Sequence, residues 1–220
     1  TFAPALIGKD PSRLDGNWHD LLALTHATAV GAITSLALAA VDTALWDLAC
    51  KKAGLPHWKA AGGVRDILIA NMIVGKRKVE RVASLCRWAD PIVACDHYAQ
   101  VEPLAAACKA AGVTCRVIPE VNLGLDRVGV RPGIDTLALA QGIDKLEGVE
   151  LAGIMGYEGH LLQIPNPAEK RERIADAVNI LVTCRDLIRN DGLNCDIVSA
   201  GGTGSYQITS DCDGVTELQS

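Results

Sequence analysis

Aromatic side chains are scarce in this sequence. Its 220 residues include one Phe, three Tyr and four Trp. The interior must therefore be filled mainly by Ala, Leu, Ile and Val, which suits layers of helices packed on a sheet. Hydrophobic residues make up 49% of the chain and charged residues 21%, a balance that excludes an intrinsically disordered protein. Because the formal net charge is −5 and no basic stripe is present, we expect no nucleic-acid partner.

The cysteines lack the spacing of a metal site. No C-x-x-C pair and no Cys/His set at zinc-site spacing occurs, so we expect no structural metal. Cys95, Cys115 and Cys195 fall in or beside predicted strands, where a free thiol behaves as a small buried hydrophobe. Reduced thiols are typical of a cytoplasmic protein. The eight cysteines are Cys50, Cys86, Cys95, Cys108, Cys115, Cys184, Cys195 and Cys212.

The chain also lacks a convincing membrane segment. Residues 21–41 carry no formal charge and are long enough to cross a bilayer. However, His26, several threonines and many alanines dilute the hydrophobicity, and the run continues in helical register to Asp42 and Asp47 without a basic flank. We therefore expect no membrane span. The first residues have no basic region, which argues against a signal peptide, and the missing initiator Met indicates a fragment.

The hydrophobic pattern changes character near Asp66. Before it, apolar residues at three- and four-residue spacing predict helices over residues 14–24 and 35–53, the second ended by Gly54 and Pro56. After it, apolar strands alternate with amphipathic helices at spacings typical of parallel βαβ units. The predicted strands are 67–71, 91–96, 114–120, 149–154 and 196–200, and the predicted helices are 76–88, 101–111, 134–141 and 168–190. The pattern predicts an α/β fold, either a barrel segment or an open doubly wound sheet, preceded by a helical segment.

Polar residues and glycines follow the predicted strands. In parallel α/β folds the reactive groups gather at these carboxyl ends. The run from Gly201 to Ser205 can converge backbone N–H groups on a phosphate, with the Thr203 and Ser205 hydroxyls as further donors, or it can be a plain glycine turn. The strand-end residues are Asn71, Asp96, Glu120, Asn122, residues 156–160 and residues 201–204.

Other side chains near the strand ends have two interpretations each. Arg127 can orient a cofactor oxygen or a substrate carboxylate, or it can pair at the surface with Asp126 or Asp135. The run Tyr157-Glu158-Gly159-His160 can supply general acid or base groups, or it can be a polar turn in which the histidine caps the next segment. The residues alone favour the turn.

Five motifs, taken in order and spacing, resemble one enzyme group. They are D-I-L-I-A-N from Asp66, E-V-N-L-G-L-D-R-V-G-V from Glu120, G-Y-E-G-H from Gly156, G-G-T-G from Gly201 and V-T-E-L-Q from Val215. This combination is similar to the D-threonine aldolase and D-serine dehydratase group of fold-type III pyridoxal-phosphate (PLP) enzymes, relatives of the alanine racemase barrel. The resemblance covers residues 65–219 and implies a partial TIM-type (β/α) barrel. It also implies roles for the cofactor-binding residues. Gly202, Thr203 and Gly204 would bind the PLP phosphate. Arg127 would lie against the cofactor or substrate, and Tyr157 would line the pocket.

The sequence departs from that family in its lysine and metal regions. Asn122 stands where the family usually has Asp. The family's Schiff-base lysine lies before D-I-L-I-A-N, and its metal ligands lie in a C-terminal β-domain; this chain has neither region. Because no lysine falls at a predicted strand end, we expect noncovalent PLP binding and little or no turnover. The lysines are Lys9, Lys51, Lys52, Lys59, Lys76, Lys78, Lys109, Lys145 and Lys170.

The first part of the chain resembles a different family. The motifs L-I-G-K-D-P from Leu6, A-V-D-T-A-L-W-D-L-A-C-K-K-A-G-L-P from Ala40 and A-G-G from Ala61 are similar to the capping-domain helices of the enolase superfamily, such as mandelate racemase. The match covers residues 3–63 and carries no catalytic group. The two resemblances imply a helical segment over residues 1–63 and a partial PLP-binding barrel over residues 64–220. With about five of eight strands, such a barrel exposes two edges that a homo-oligomer can cover.

Three functions are compatible with these residues. The first is a PLP-dependent lyase or racemase for a small amino-acid substrate, incomplete and weakly active or inactive alone. The second is an enolase-type Mg²⁺-assisted lyase or isomerase with Asp96, Glu120 and Glu158 as metal ligands. The third is a hybrid fragment without a selected function. The barrel motifs favour the first.

Overall fold

The computed structural model of the chain describes residues 2–25, 32–55 and 65–219. The chain divides into two compact units, Thr1–Val64 and Arg65–Ser220. The first unit is helical, and the second alternates strands with helices. The predicted junction near Gly63 to Asp66 lies partly outside the described residues.

Of the three described helices of the first unit, the second and third agree with the hydrophobic pattern, and the first was not predicted. They are α1 (Ala3–Leu6), α2 (Leu14–Ala23) and α3 (Ala32–Ala53). Helices α2 and α3 are in contact, and Leu21 on α2 and Leu38 on α3 are buried. Gly54 follows α3 in the left-handed conformation, a common way for a helix to end. No described helix is long and apolar enough to cross a membrane, and residues 26–31 of the charge-free run lie outside the described part.

The second unit contains every strand and helix that the sequence predicts there. The strands are β1 (Asp66–Ile69), β2 (Asp90–Cys95), β3 (Cys115–Val121), β4 (Val149–Leu151), β5 (Gly153–Gly156), β6 (Ile197–Ala200) and β7 (Glu217–Leu218). The helices are α4 (Lys76–Leu85), α5 (Tyr98–Ala111), α6 (Ile134–Asp144), α7 (Pro167–Asn190) and α8 (Tyr206–Thr209), with a 3₁₀ turn at Gly159–Leu161. The predicted fourth strand is interrupted at Ala152, and the two-residue strand β7 was not predicted.

The strands form one parallel sheet in the order β1-β2-β3-β5-β6-β7, with β4 also paired to β3. β4 and β5 are successive parts of one strand position, since β4 pairs with residues 115–117 of β3 and β5 with residues 120–121. Each strand therefore lies beside the one before it, always in the same direction. A doubly wound sheet reverses direction at a switch point, whereas a barrel does not. The partial (β/α) barrel prediction is confirmed, and the doubly wound alternative is wrong.

The two faces of the sheet bury different side chains. On β2, Val93 and Cys95 belong to the large core shared with the helices, whereas Ile92 and Ala94 belong to a smaller cluster on the inner face. Side chains alternate between faces along a strand, so the positions two residues beyond inner-face residues also point inward. By this alternation the inner-face residues at the strand ends are Asp96, Glu120 and Tyr157.

The eight cysteines are all free thiols, and the three predicted in or beside strands, Cys95, Cys115 and Cys195, are buried. Cys86, at the end of α4, is partly exposed and lies beside the thiols of Cys108 and Cys115. Hydrogen bonds from those two thiols lower the pKa of Cys86. Burial instead raises the pKa of the other partly exposed thiol, Cys212.

Cys86 is therefore expected to be alkylated before any other cysteine. Only the thiolate reacts, so exposure and a lowered pKa act together at this position. We expect iodoacetamide to modify Cys86 at least about tenfold faster than Cys212 near neutral pH, as followed by mass analysis of peptides from timed samples. Equal rates at the two cysteines would contradict the prediction.

Candidate functional site

A cavity of about 530 Å³ lies at the carboxyl ends of the strands of the second unit. Parallel barrels place their active sites at this edge. Of the residues that the resemblance implies for the cofactor, Arg127, Tyr157, Gly202 and Thr203 line the cavity, and Gly204 lies beside it in the same loop. The lining residues are Ala70, Asn71, Met72, Arg127, Val128, Met155, Tyr157, Gly201, Gly202, Thr203 and Gln219.

The glycine loop, residues 201–205, leaves three successive backbone N–H groups free. Those of Gly202, Thr203 and Gly204 have no hydrogen-bond partner among the described residues. The hydroxyl oxygen of Ser205 is buried and also without a partner in that part of the chain. A run of free amides beside an unused hydroxyl is a donor set that suits an anion. These features favour a phosphate loop over a plain turn.

Glu158 lies behind the glycine loop and is fully buried. Its Oε2 accepts a hydrogen bond from the Gly201 N–H at 3.3 Å. Its Oε1 accepts one from the Thr209 hydroxyl of α8 at 2.8 Å. A buried carboxylate normally needs such donors. Glu158 therefore joins the end of β5 to the loop after β6 and does not face the cavity as an acid or base.

Arg127 connects a buried carboxylate to the aromatic wall of the cavity. Its Nη2 lies 3.6 Å from Oε1 of Glu120, and its guanidinium carbon lies 5.5 Å from the centre of the Tyr157 ring. This is the range of a cation–π contact. The predicted surface pairing with Asp126 or Asp135 is wrong, because Asp126 binds Asn122 and Asp135 binds Arg131.

Glu120 is an inner-face residue with one unsatisfied oxygen. Its Oε2 is buried and has no hydrogen-bond partner among the described residues. Burial raises the pKa of Glu120, the Arg127 guanidinium opposes that shift, and the negative charge of Asp96 adds to it. The carboxylate at this position is therefore in an unfavourable environment.

The turn after β3 is fixed by side-chain hydrogen bonds that hold Arg127 in place. Asn122 donates to Asp126 at 2.8 Å and accepts from the Gly124 N–H at 2.9 Å. Asp96 accepts from the Gly129 N–H at 3.0 Å. Asn122 thus has a structural use that requires an amide donor.

His160 and the three residues considered as magnesium ligands, Asp96, Glu120 and Glu158, do not line the cavity. A Cβ atom placed on Gly124 would be 3.0 Å from Nε2 of His160, so this exposed ring lies against the turn after β3. Glu158 is bound to the glycine loop and does not join Asp96 and Glu120. The described residues include no group of three or more carboxylate, histidine or cysteine side chains arranged to hold a metal ion.

The sequence did not single out Gln219 or Ser199, which form a hydrogen-bonded chain beside the cavity. Gln219 lines the cavity and donates to the hydroxyl of Ser199 at 3.1 Å. Ser199 in turn donates to Glu217 at 2.6 Å. The motif V-T-E-L-Q contains two of these residues, but its strand is too short to be recognised by periodicity.

Lysines are absent from the cavity wall in the described part of the chain. Lys170, on the first turns of α7, donates to the carbonyl oxygen of Gly204 at 3.2 Å. It therefore supports the glycine loop from outside. Lys59 lies outside the described residues.

Comparisons with known proteins agree with this architecture. Residues 14–216 match the family described as alanine racemase, N-terminal domain. D-Threonine aldolase from an Arthrobacter species is 31% identical over 201 residues, which cover 91% of this chain and 53% of that protein. The crystal structure of D-threonine aldolase from Filomicrobium marinum has a TM-score of 0.67 at 32% identity, covering 73% of this chain and 43% of that one.

A second set of matches concerns dehydratases, and some of them also cover most of the chain. A D-galactonate dehydratase family member from Halomonas elongata is 45% identical over 60 residues, which cover 27% of this chain and 15% of that protein. The chain spans about half the length of the D-threonine aldolase that it matches. The match to the racemase family extends over residues 14–216 and includes the glycine loop and every cavity-lining residue except Gln219. This chain belongs to the family described as alanine racemase, N-terminal domain.

Proposed function

We propose that this chain is the PLP-binding part of a lyase that acts on a small D-amino acid with a 3-hydroxyl group. The observation that carries the proposal is the glycine loop, whose Gly202 and Thr203 line a barrel cavity and whose three backbone amides have no partner among the described residues. The relatives support the substrate class, since their names specify D-threonine and 3-hydroxy-D-aspartate. Both are amino acids with a hydroxyl on the carbon next to Cα.

Each cavity residue has a defined task under this proposal. Gly202, Thr203 and Gly204 bind the cofactor phosphate through their backbone N–H groups. Tyr157 packs against the cofactor, and Arg127 supplies a fixed positive charge for a cofactor oxygen or a substrate carboxylate. When bound, PLP supplies an electron sink for charge that develops at Cα of an amino acid.

The chain fits the phosphate of PLP better than its aldehyde. No described lysine lines the cavity, so the chain has no evident group to attach the cofactor covalently. We therefore propose that it binds PLP noncovalently and has little or no turnover alone. The free cysteines agree with a reducing compartment such as the cytoplasm.

PLP titration of the purified chain tests this proposal. We expect a saturable change in the absorbance of PLP, no lysine adduct by mass analysis after borohydride reduction, and weaker binding of pyridoxal, which lacks the phosphate. The double variant Gly202→Ala with Thr203→Ala is expected to lose most of the preference for PLP.

The other outcomes decide between alternatives. A reduced adduct on one specific lysine would show that an attachment residue exists, and would make an active lyase the better explanation. Absence of PLP binding would overturn the proposal and favour a hybrid fragment without a selected function.

We further propose that residues 1–63 and 64–220 have separate origins. The supporting observations are the division at Val64 and the 60-residue match to a D-galactonate dehydratase family member. Among the described residues no further strand pairs with the outer edges of β1 and β7, and a homo-oligomer can cover these edges. Sedimentation analysis would detect such an oligomer.

A further inference from the structure

We infer that Glu158 is a positioning residue for the glycine loop, one that sets its preference for a phosphate. The inference rests on the proposed PLP site. In it, the carboxylate fixes the first peptide of the loop from behind, so that the next three N–H groups stay free for the ligand. Glu158 itself does not contact the ligand.

The backbone N–H groups on either side of the three free ones are all bonded within the protein. The Gly201 N–H donates to Glu158, and the N–H groups of Ser205 and Tyr206 both donate to the Gly202 carbonyl. Only the N–H groups of Gly202, Thr203 and Gly204 are therefore left for a ligand. Gly201 has a φ of +85°, so the chain turns sharply at the residue that Glu158 holds.

Thr209 links the same carboxylate to the far side of the loop. Its hydroxyl lies 2.8 Å from Oε1 of Glu158 and 3.2 Å from the Ser205 carbonyl oxygen. Glu158 and Thr209 are both fully buried, so water does not replace these bonds. Loss of either partner leaves a buried polar group unsatisfied and releases one end of the loop.

Charge alone does not explain a carboxylate at this position. A buried negative charge behind an anion site opposes the binding of a phosphate. Its useful property is that it accepts two hydrogen bonds. A glutamine can accept a hydrogen bond from the Gly201 N–H with its side-chain oxygen and donate one to the Thr209 hydroxyl with its amide nitrogen. The Thr209 hydroxyl then donates its own proton only to the Ser205 carbonyl oxygen.

Three variants test this inference through the ratio of PLP to pyridoxal affinity, measured by equilibrium dialysis. Glu158→Leu and Thr209→Val are each expected to lower the ratio by about tenfold or more, since each leaves a buried group unsatisfied. Glu158→Gln is expected to retain or raise the ratio. Circular dichroism and urea unfolding of each variant establish that it is folded.

The possible failures are distinct. If the wild-type chain binds PLP no better than pyridoxal, the proposed function itself fails. If the wild type prefers PLP but folded Glu158→Leu and Thr209→Val keep its ratio within about twofold, the positioning role is wrong. Loss of the ratio in Glu158→Gln equal to that in Glu158→Leu would also overturn it. If Glu158→Leu does not fold, the ratio measured for Thr209→Val tests the positioning role, since this substitution keeps the branched shape of the side chain.

Discussion

Replacement of Gly202 by alanine is expected to lower the affinity for PLP by about tenfold or more. A Cβ atom at this position would lie 3.0 Å from Cε2 of Tyr157 and 3.7 Å from the Gln219 carbonyl oxygen. The tyrosine ring must move, and it carries the cation–π contact with Arg127. Overpacking of this kind costs about 1–3 kcal/mol, and here it falls on the wall of the proposed cofactor site. Equilibrium dialysis with PLP measures the loss.

Gly142→Ala provides a matched control for that substitution. A Cβ atom there would lie 2.9 Å from two ring carbons of Tyr98, a contact as close as the one at Gly202 but within helix α6 and away from the cavity. Both variants therefore press a methyl group against a tyrosine ring. We expect the control to keep wild-type PLP affinity. Equal losses in the two variants would mean that general repacking, and not the cavity wall, causes the effect.

Periodicity predicts the barrel of this chain well because most of its elements are long and regular. Strand β2 is buried along five of its six residues, and α7 continues for 24 residues. Such elements bury a continuous face, which the spacing of apolar residues reveals. Strand β7 has two residues, and its position depends on pairing with β6, so no local pattern identifies it. The choice of a barrel over a doubly wound sheet also depends on strand order, which spacing does not encode.

The candidate site is predictable where it is made of backbone and less so where it is made of side-chain partners. The glycines among residues 201–204 predict a loop independently of the tertiary structure around it. By contrast, Arg127 has three carboxylates within eight residues of it in sequence, Asp126, Asp135 and Glu120, and spacing does not tell that it pairs with Glu120 at the end of β3. Glu158 is adjacent to Tyr157 but faces the opposite way, toward Thr209. The contact between Glu158 and Thr209 joins residues far apart in sequence, so it depends on the assembled sheet.

Glu120→Gln is expected to raise the free energy of unfolding near neutral pH and to weaken PLP binding. Burial raises the folded-state pKa of Glu120 above its usual value of 4.5, so the ionised carboxyl destabilises the native state above that raised pKa. A neutral side chain removes this penalty, and we expect a gain of about 0.5–2 kcal/mol, the range common to single stabilising substitutions. The same change removes the negative partner of Arg127, which then is less firmly held over Tyr157. Urea unfolding and equilibrium dialysis measure the two effects.

The pH dependence of that gain tests its electrostatic origin. Because the folded pKa is the higher one, the native state binds more protons than the unfolded state between the two values, and the contribution of Glu120 improves as pH falls. The advantage of Glu120→Gln should be full above the folded pKa and should vanish below the usual value of 4.5. Glu147→Gln is the matched control of opposite sign: a hydrogen bond from Lys109 lowers the pKa of this exposed carboxyl, so its small contribution favours folding at neutral pH and is lost on acidification. A gain for Glu120→Gln that persists unchanged at about pH 3.5 would show that improved packing, and not removal of a buried charge, is its cause.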